Sequence, residues 1–340
     1  MFVIQKEDVV KVLQLYSCNY DVTALDMLAY YQQGKVTSCI VISVSTRGTE
    51  KYVIKFLSDK FMEKDIEEKR CSFSEFLRLN DVPVPQKYSC NGSYCHTVCI
   101  QFYNFLVTVE DYFGEDVSEI TTQSSYALGC ILGKMHTVSL NAKYKLNFSR
   151  IYSALINRRT NYSAIWGIID RDIFNSHRIE ELRDLHNSKM KELQRLWEGL
   201  PMSTVHSDLG FTSNVVYKKS GFGVIDFNLS ADEVLIGDLL VTWYSSRYSN
   251  DFIRKVPFSK VETIRNSFLN GYQSTRKLLS DEKSNFQSMS KVINGIYFNR
   301  YVAQLVKEGN VEIGRKLSCM IEENYFTEDT QIDIGSELGI

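Results

Sequence analysis

Several features that define other classes of protein are missing from this chain of 340 residues. No stretch approaches the roughly eighteen uncharged apolar residues that a transmembrane helix requires, so we expect no membrane partner. The first residues lack a basic region followed by a long apolar one, so we expect no signal peptide. The formal net charge is only −2. A nucleic-acid partner is therefore not expected, because nucleic-acid-binding proteins usually carry a basic patch or stripe.

Cysteine pairs with the spacing of a metal site are also missing. Cys90, Cys95 and Cys99 are the closest group among the eight cysteines, but they form no Cys-x-x-Cys pair. The other five stand singly, mostly within apolar runs, and free cysteine is among the most buried residue types. The spacing and the apolar surroundings of the cysteines predict reduced, structural thiols in a cytoplasmic protein.

Glycine-rich phosphate-binding motifs are absent as well. Neither Gly-x-Gly-x-x-Gly nor Gly-x-x-x-x-Gly-Lys-[Ser/Thr] occurs in the chain. Gly34, followed by Lys35, Thr37 and Ser38, is the one candidate for a loop that covers phosphates. An ordinary turn is an equally good interpretation of these residues.

The most informative feature that is present is a set of polar residues within two short apolar runs. His206-Ser207-Asp208 closes the first run and Asn214 follows it, while Val224-Ile225-Asp226-Phe227 forms the second. Polar groups among apolar neighbours are costly unless they are paired, so they usually stand there because chemistry needs them. Asp and Asn oxygens suit Mg²⁺, which shares phosphate oxygens with one or two protein ligands. The pattern indicates phosphoryl transfer from a nucleotide.

The chain changes character near residue 105. Before it, two strand-like runs, 37–46 and 51–57, flank the turn Arg47-Gly48-Thr49-Glu50 and predict a hairpin. The pattern of residues 59–79 predicts a charged helix, and the segment 23–31 fits either a helix or a strand. After it, apolar spacing predicts helices over 125–139 and much of 151–200, most clearly 179–197. The acidic segment 327–340 is expected to be loosely held. The pattern predicts an α+β fold with a small β-rich lobe and a larger, mainly helical lobe.

The order of these motifs resembles the aminoglycoside phosphotransferase and choline kinase family. The shared features are an apolar-x-Lys strand (Tyr52-Val53-Ile54-Lys55), a glutamate-bearing helix, Val82-Pro83-Val84-Pro85, the His206-Ser207-Asp208 loop with Asn214, and Ile225-Asp226-Phe227. Gly129 to His136 and the twelve-residue interval from Asp226 to Asp238 also fit. The resemblance implies the protein-kinase-like two-lobed fold. We expect a nucleotide-binding lobe over residues 1–103 and a catalytic, acceptor-binding lobe over residues 104–340.

The resemblance assigns roles to three residues of the opening motif. Asp208 would be the catalytic residue that orients the acceptor hydroxyl and takes its proton, while Asp226 and Asn214 would be the metal ligands. Asn214 follows Asp208 by six residues, one more than in the family. Either the loop bulges around Gly210, or Ser213 takes the expected position, and the strand-like run after Asn214 favours Asn214.

The remaining nucleotide contacts are also implied by the resemblance. Lys55 would bind phosphate oxygens, paired with a glutamate of the 59–79 helix. Glu68 is the preferred partner, with Glu67 close behind and Glu75 less suitable. The adenine would meet backbone groups of the segment that joins the lobes, which we place near Gln101, Phe102 and Tyr103.

Supporting and acceptor-binding residues are less sharply defined. His206 and Asp238 are expected to support the loop rather than to exchange protons. Acidic and aromatic residues beyond the metal strand could hold a cationic acceptor through cation–π contacts, although the same residues could be helix core and solvated acids; they are Asp232, Glu233, Trp243, Tyr244, Tyr297 and Tyr301.

The sequence therefore predicts a Mg²⁺-dependent phosphotransferase. It would move the γ-phosphate of ATP or GTP to a hydroxyl of a small molecule such as an aminoglycoside, an amino alcohol or a related metabolite, and act as a monomer or dimer. Protein kinase activity is less favoured, because Ile225-Asp226-Phe227 lacks a following glycine. A catalytically silent, nucleotide-binding pseudokinase is the alternative, motivated by the lengthened Asp208 loop and the missing glycine motif.

Overall fold

The computed structural model describes residues 2–149, 176–218 and 221–326. The helical expectation for 151–175 and the expectation for the segment 327–340 lie outside these residues. The chain divides into two compact units, Met1–Glu115 with Val216–Asn228, and Asp116–Val215 with Leu229–Ile340. The division confirms the mixed architecture, with a β-rich first unit and a mainly helical second unit.

Strands and helices are numbered here in chain order over the described residues. The strands are β1 (Val22–Gln33), β2 (Val36–Thr46), β3 (Lys51–Ser58), β4 (His96–Ile100), β5 (Tyr103–Asp111), β6 (Glu115–Asp116), β7 (Met202–Val205), β8 (Val215–Lys218), β9 (Gly221–Val224) and β10 (Ala231–Val234). The helices are α1 (Lys6–Leu15), α2 (Lys64–Leu79), α3 (Thr122–Asn141), α4 (Ser176–Trp197), α5 (Leu235–Arg247), α6 (Asn250–Lys255), α7 (Val261–Thr275), α8 (Ser280–Lys307), α9 (Val311–Ser318) and α10 (Ile321–Asn324). Short 3₁₀ turns cover Phe227–Leu229 and Phe258–Lys260.

A five-stranded sheet forms the core of the first unit. Its order is β1-β2-β3-β5-β4, and all neighbouring strands run antiparallel. The predicted hairpin is therefore β2 and β3, and the ambiguous segment 23–31 belongs to strand β1. Successive side chains of a strand point to opposite faces. Ile54 and Phe56 join the apolar cluster that includes Val9, Val12 and Leu13 of α1, which leaves Lys55 on the other face.

Helix α2, strand β9 and the residues after β9 carry the groups of the first unit that lie on the Lys55 face of the sheet. Phe73 and Leu77 of α2 are fully buried, and the Phe73 ring lies 6.0 Å from the Phe227 ring. The Val224 amide donates to the Pro83 carbonyl oxygen at 2.9 Å. The Val-Pro-Val-Pro segment and α2 thus fix β9 and the residues that follow it, including Asp226, within the first unit.

The expected lobe boundary at residue 103 needs correction. Tyr103 begins β5, which lies between β3 and β4 in the sheet. A boundary there would remove a central strand and leave β3 and β4 without their shared neighbour. The chain instead leaves the first unit at Glu115 and returns to it over Val216–Asn228.

The second unit is built mainly from helices. Gly129 of α3 approaches the Phe268 carbonyl oxygen of α7, and Gly271 of α7 approaches the Tyr126 carbonyl oxygen, so closely that a Cβ at either glycine would clash with backbone. The helices are therefore packed at van der Waals distance along these glycines. Strands β7 and β10 pair antiparallel, with Thr204 opposite Asp232.

Two further properties bear on the compositional expectations. All eight cysteines are free thiols, of which Cys18, Cys71 and Cys95 are buried. In the parts of the chain that the structure describes, none of the helices combines the length and the apolar character needed to cross a membrane.

Candidate active site

Lys55 and Asp226 form an ion pair in the first unit, although 171 residues separate them in sequence. Lys55 Nζ donates to Asp226 Oδ1 at 2.7 Å, and to Asn228 Oδ1 at 3.4 Å. The Lys55 side chain is 4% exposed and that of Asp226 is 37% exposed. A buried ammonium thus holds a carboxylate that still reaches solvent.

The ammonium of Lys55 belongs to a larger buried cluster. Glu110 Oε1 lies 3.9 Å from Lys55 Nζ, and Glu110 Oε2 accepts a hydrogen bond from Lys87 Nζ. Burial alone would raise the pKa of Glu110, but Lys55 and Lys87 hold it below its usual value. Burial opposes the charge of Lys55, yet Asp226 and Glu110 raise the pKa of that ammonium. Lys55 is therefore positively charged at any physiological pH.

Glu68, the preferred partner of Lys55, lies elsewhere in the structure. Its carboxylate accepts backbone N–H bonds from Tyr94 and Cys95 and a hydroxyl bond from Ser93, all between 2.9 and 3.0 Å. It therefore fixes the chain before β4. Glu67 is the α2 glutamate that faces the cluster: it is buried, burial raises its pKa, and Lys55 and Lys87 oppose that rise.

The backbone around the candidate residues is unusual. Asp226 has φ 63°, and in the second unit Ser207 has φ 69° and Asn214 has φ 63°. Non-glycine residues seldom adopt such angles, and those that do often lie at functional sites, where the surrounding structure holds the strain. Three such residues fall within the polar motifs identified from the sequence.

Asp208 and Asn214 meet in the second unit. Asn214 Nδ2 donates to the Asp208 backbone carbonyl oxygen at 2.7 Å and to its Oδ2 at 3.2 Å. The Asp208 side chain is exposed, whereas His206 is fully buried. His206 Nδ1 accepts the Asp208 backbone N–H at 3.3 Å, which is the supporting role expected for it.

The additional residue before Asn214 is accommodated in a tight loop. The Gly210 amide donates to the Ser213 carbonyl oxygen at 3.1 Å, and a Cβ at Gly210 would clash with Ser213 Oγ. Ser213 is exposed, while the Asn214 side chain turns back to Asp208. Of the two residues considered from the sequence, the structure brings Asn214 to Asp208.

A polar cavity opens at Asp208 within the second unit. Its volume is about 410 Å³, and most of the side chains around it carry hydroxyl, amide or carboxylate groups; the polar residues are Asp208, Thr212, Ser213, Ser245, Ser246, Ser249, Asn250 and Asp251. Asp251 Oδ2 accepts from Thr212 at 3.3 Å and pairs with Lys255 at 3.4 Å. The cavity therefore offers several hydrogen-bonding groups and a second carboxylate around the catalytic candidate.

Most residues considered for an acceptor pocket are instead structural. Trp243, Tyr244, Tyr301 and Glu233 are buried in the second unit. Asp232 Oδ1 and Oδ2 accept the amides of Leu146 and Asn147, at 2.9 and 2.7 Å, and so fix the chain after α3. The core interpretation left open by the sequence is correct for the three aromatic residues, whereas the two acids are buried rather than solvated.

Tyr297 is the exception among these aromatic residues. It is half-buried, and the Arg300 guanidinium lies 5.0 Å from its ring centroid. Burial raises the pKa of Tyr297, and the Asp208 carboxylate adds to the rise while Arg300 opposes it. Tyr297 is thus an electrostatic neighbour of both Asp208 and Arg300, and sequence spacing alone gave no reason to select Arg300.

Gln101 and Tyr103 are not in the segment that joins the units. Gln101 and Phe102 form the turn between β4 and β5, and Gln101 Nε2 donates to the Val3 carbonyl oxygen at 3.0 Å. Tyr103 lines a cavity of about 780 Å³ together with Lys35 and Thr37 of the Gly34 turn. Phe2 and Phe105, which pack on the α1 side of the sheet, also line it, so this cavity lies away from the Lys55 face.

Glu110 and Lys87 are the site residues that sequence reasoning missed. Glu110 interrupts the apolar run Phe105-Leu106-Val107-Thr108-Val109. This is the same kind of signal, a carboxylate within a buried strand, that identified Asp226. Lys87 follows the proline segment in a stretch without clear periodicity, so nothing in the sequence suggested that it is buried.

The chain is similar in fold to solved small-molecule kinases. No protein-family model matches it. An amicoumacin kinase, hAmiN, solved with AMP-PNP, Ca²⁺ and Ami, is 15% identical with a TM-score of 0.66, over 94% of each chain. A microcompartment-associated aminopropanol kinase is 16% identical with a TM-score of 0.66, over 95% of this chain and 98% of its own.

A third similar structure is that of a choline kinase. The choline kinase LicA from Streptococcus pneumoniae is 16% identical with a TM-score of 0.54, over 94% of this chain and 96% of its own. At these identities the likeness establishes the fold. The protein-kinase-like fold of small-molecule kinases, predicted from the motif order, is confirmed.

Proposed function

We propose that this protein is a Mg²⁺-dependent phosphotransferase that moves the γ-phosphate of ATP or GTP to a hydroxyl group of a small molecule. The observation that carries the proposal is the buried Lys55 ammonium paired with the half-exposed Asp226 carboxylate on this fold. A charged pair of this kind is costly to bury, and phosphate and metal binding give a reason to keep it. The free thiols favour a reducing, cytoplasmic location.

Lys55 would bind phosphate oxygens of the nucleotide. Its ammonium is a compact charge with three donors, which suits non-bridging phosphate oxygens. The raised pKa keeps it protonated. Glu110 remains as a counter-ion when a phosphate group draws the ammonium from Asp226.

Asp226 and Asn214 would hold the metal ion. Asp226 keeps a carboxylate accessible to solvent, and Asn214 bonds to Asp208 through Nδ2, which does not use its amide oxygen. A carboxylate and an amide oxygen fit Mg²⁺, which keeps several waters and takes few protein ligands. Mg²⁺ bound there would neutralise charge on the β- and γ-phosphates.

Asp208 would orient the acceptor hydroxyl and receive its proton. The hydroxyl oxygen forms a bond to the γ-phosphorus, the bond from that phosphorus to the β,γ-bridging oxygen breaks, and ADP or GDP leaves. Asn214 fixes the Asp208 carboxylate through Nδ2, and the His206 ring fixes its backbone. Positioning of this kind supplies most of the catalysis in phosphoryl transfer.

The cavity at Asp208 supports a small, polar acceptor. Hydroxyl side chains and Asn250 line it, and Asp251 adds a second carboxylate. Hydroxyls and amides can donate to or accept from an acceptor's own hydroxyl groups, while the carboxylates favour an amine. Aminoglycosides, amino alcohols and related metabolites have this chemistry.

A screen of hydroxyl-bearing compounds, coupled to ADP or GDP release with MgCl₂ present, tests the proposal. Asp208→Asn should lower turnover of the best acceptor by about 10²–10⁴-fold, the usual contribution of a general base. Because Asp208 is exposed, the variant should unfold at the same temperature as the wild type. Asp226→Ala should abolish the dependence of nucleotide binding on MgCl₂.

Two outcomes would contradict this assignment. Unchanged turnover in Asp208→Asn would exclude its role as the base. Tight nucleotide binding without release of diphosphate across the whole acceptor set would instead favour a catalytically silent nucleotide-binding protein.

A further inference from the structure

Backbone pairing places Glu110 between two lysines. In the β3–β5 register, Lys55 is opposite Thr108 and Val53 is opposite Glu110. Residues two apart on a strand share a face, so Lys55 and Glu110 are diagonal neighbours on one face of the sheet. On the other side of β5, Lys87 forms a β-bridge with Glu110, flanked by Tyr88 N to Val109 O and Asp111 N to Gln86 O, both 3.0 Å.

The side chains complete this arrangement inside the first unit. One carboxylate oxygen of Glu110 faces Lys55 and the other accepts from Lys87, and all three side chains are at most 5% exposed. Burial opposes the charge of Lys87, Glu110 raises the pKa of that ammonium, and Lys55 lowers it. Without Glu110, two buried cations would therefore repel one another at the position where phosphate is proposed to bind.

The glutamate of α2 does not provide the same support. Glu67 is buried, and within the described residues its Oε2 has no hydrogen-bond partner. Its ion pair with Arg70 is long, at 3.9 Å, and burial raises its pKa while Lys55 and Lys87 oppose that rise. In contrast, the two carboxylate oxygens of Glu110 face Lys55 and Lys87, so Glu110 is the better placed anchor for the ammonium.

The geometry points to Glu110, itself held by Lys87, as the positioning residue of the phosphate-binding Lys55, with the sheet rather than α2 fixing the lysine. This inference rests on the proposed function, because it assumes that Lys55 binds phosphate. It also explains how Asp226 can be released to a metal ion. Lys55 keeps Glu110 as its counter-ion throughout, and Glu110 keeps Lys87.

Nucleotide affinity and folding stability separate positioning from a merely structural role. Glu110→Gln leaves two buried lysines without their shared carboxylate, so it should both destabilise the protein and weaken Mg·ATP binding. Glu110→Gln/Lys87→Gln removes one cation as well and should recover the unfolding temperature. The double variant should still bind Mg·ATP about tenfold more weakly than the wild type, a factor equivalent to 1.4 kcal/mol, because Lys55 has lost its anchor.

Glu67→Gln is the matched control, since it neutralises the other buried glutamate near Lys55. It should change the dissociation constant by less than about twofold. Glu110→Asp retains the charge and the pairing with Lys87 but shortens the reach to Lys55. It should weaken nucleotide binding while unfolding near the wild-type temperature, which keeps the test decisive even if the double variant does not fold.

The inference is overturned if the double variant binds Mg·ATP like the wild type, or if Glu67→Gln weakens binding as much as Glu110→Gln. Lys55→Met separates this failure from failure of the proposed function. If the wild type binds Mg·ATP and Lys55→Met does not, the phosphate role of Lys55 stands whatever the Glu110 variants do. If the wild type and Lys55→Met bind equally, the proposed role of Lys55 falls, and the inference falls with it.

Discussion

Each unit of this protein contains a buried polar network, and the two networks differ in where they end. In the first unit, the network runs from Lys87 through Glu110 and Lys55 to Asp226, whose side chain is accessible to solvent. In the second unit, Asp238, His136, Tyr272, Arg276 and Glu282 form a chain in which each side chain bonds to the next at 2.8–3.0 Å. All five are buried.

The difference indicates which network is kept for chemistry and which for stability. Burial lowers the pKa of His136. A neutral His136 ring can donate to Asp238 through Nε2 and accept from Tyr272 through Nδ1. This second network joins α3, α5, α7 and α8 and ends inside the protein. The first network ends at a solvent-accessible carboxylate, that of Asp226, which is paired with the Lys55 ammonium. We therefore expect the second network to govern unfolding and the first to govern nucleotide binding.

The largest effect should come from breaking the second network at Arg276. Arg276 Nη2 donates to both oxygens of the fully buried Glu282, at 2.8 and 2.9 Å. Arg276→Met would leave that carboxylate unpaired and should lower the free energy of unfolding by about 3–5 kcal/mol. Urea denaturation measures this loss.

The double variant Arg276→Met/Glu282→Gln is the control for that prediction. Glutamine keeps an oxygen for the Leu279 amide, which Glu282 now accepts at 2.9 Å, without leaving a bare charge. It should recover most of the lost stability. Nucleotide affinity per folded molecule should be unchanged in both variants, and a change in that affinity would erase the distinction between the networks.

Lys55→Met should weaken nucleotide binding and leave stability nearly unchanged, which is the reverse of the effect expected for Arg276→Met. Loss of a charged hydrogen bond to phosphate is expected to cost about 1.5–3 kcal/mol of nucleotide binding. Stability should change little, because Glu110 retains Lys87 and Asp226 reaches solvent. Calorimetric titration with Mg·ATP and urea denaturation of the same preparation provide the two values. Strong destabilisation with unchanged affinity would make the first network structural as well.

Acid should weaken the second unit without affecting the lysines of the first. Burial, with a smaller effect from Arg300, lowers the pKa of His186 to about 4, and Tyr325 contacts its Nδ1. The unfolded chain binds this proton near pH 6.5, so stability falls as pH drops from about 6.5 toward 4, by about 2 kcal/mol at pH 5. Lys55 and Lys87 have raised pKa values, so their contribution is fully present at these pH values and is lost only in alkali.

His186→Asn tests this pH dependence, since the amide oxygen can replace Nδ1 as an acceptor. The variant should lose less stability than the wild type between pH 7 and pH 5 in urea denaturation. An equal loss in both proteins would assign the acid sensitivity to other groups, such as His136.

Periodicity and motif order predicted the parts of the fold that depend on local pattern. The β2–β3 hairpin, α2 and α3 follow from apolar spacing, and the meeting of Lys55 with the Asp226 segment follows from the resemblance. Glu67 could also have been found. It lies seven residues before Ser74 and four before Cys71, both buried, so helical spacing places it on the inner face, whereas Glu68 turns toward residues 93–95.

Other features left no such signal. The β4–β5 turn uses Gln101 and Phe102 with φ 48° and 69°, where glycine or asparagine would have marked it. Nothing in the residue types therefore marked this turn, and the lobe boundary was placed too early. The pairing of Lys87 with Glu110 depends on a β-bridge between distant segments, which no local period encodes.

The smallest effect should come from an exposed ion pair at the Asp208 cavity. Lys255 Nζ lies 3.4 Å from Asp251 Oδ2, with side chains 37% and 57% exposed. Lys255→Gln should change stability by less than about 0.5 kcal/mol, which provides a baseline for both buried networks. The substitution also removes the cation paired with Asp251, so the Asp251 carboxylate should attract a cationic acceptor more strongly. KM for such an acceptor should fall modestly at low salt and return to the wild-type value at high salt. Lys260→Gln, an exposed change of the same charge outside the cavity lining, is the control. An equal response in both variants would show that only net charge, and not Asp251, influences the acceptor.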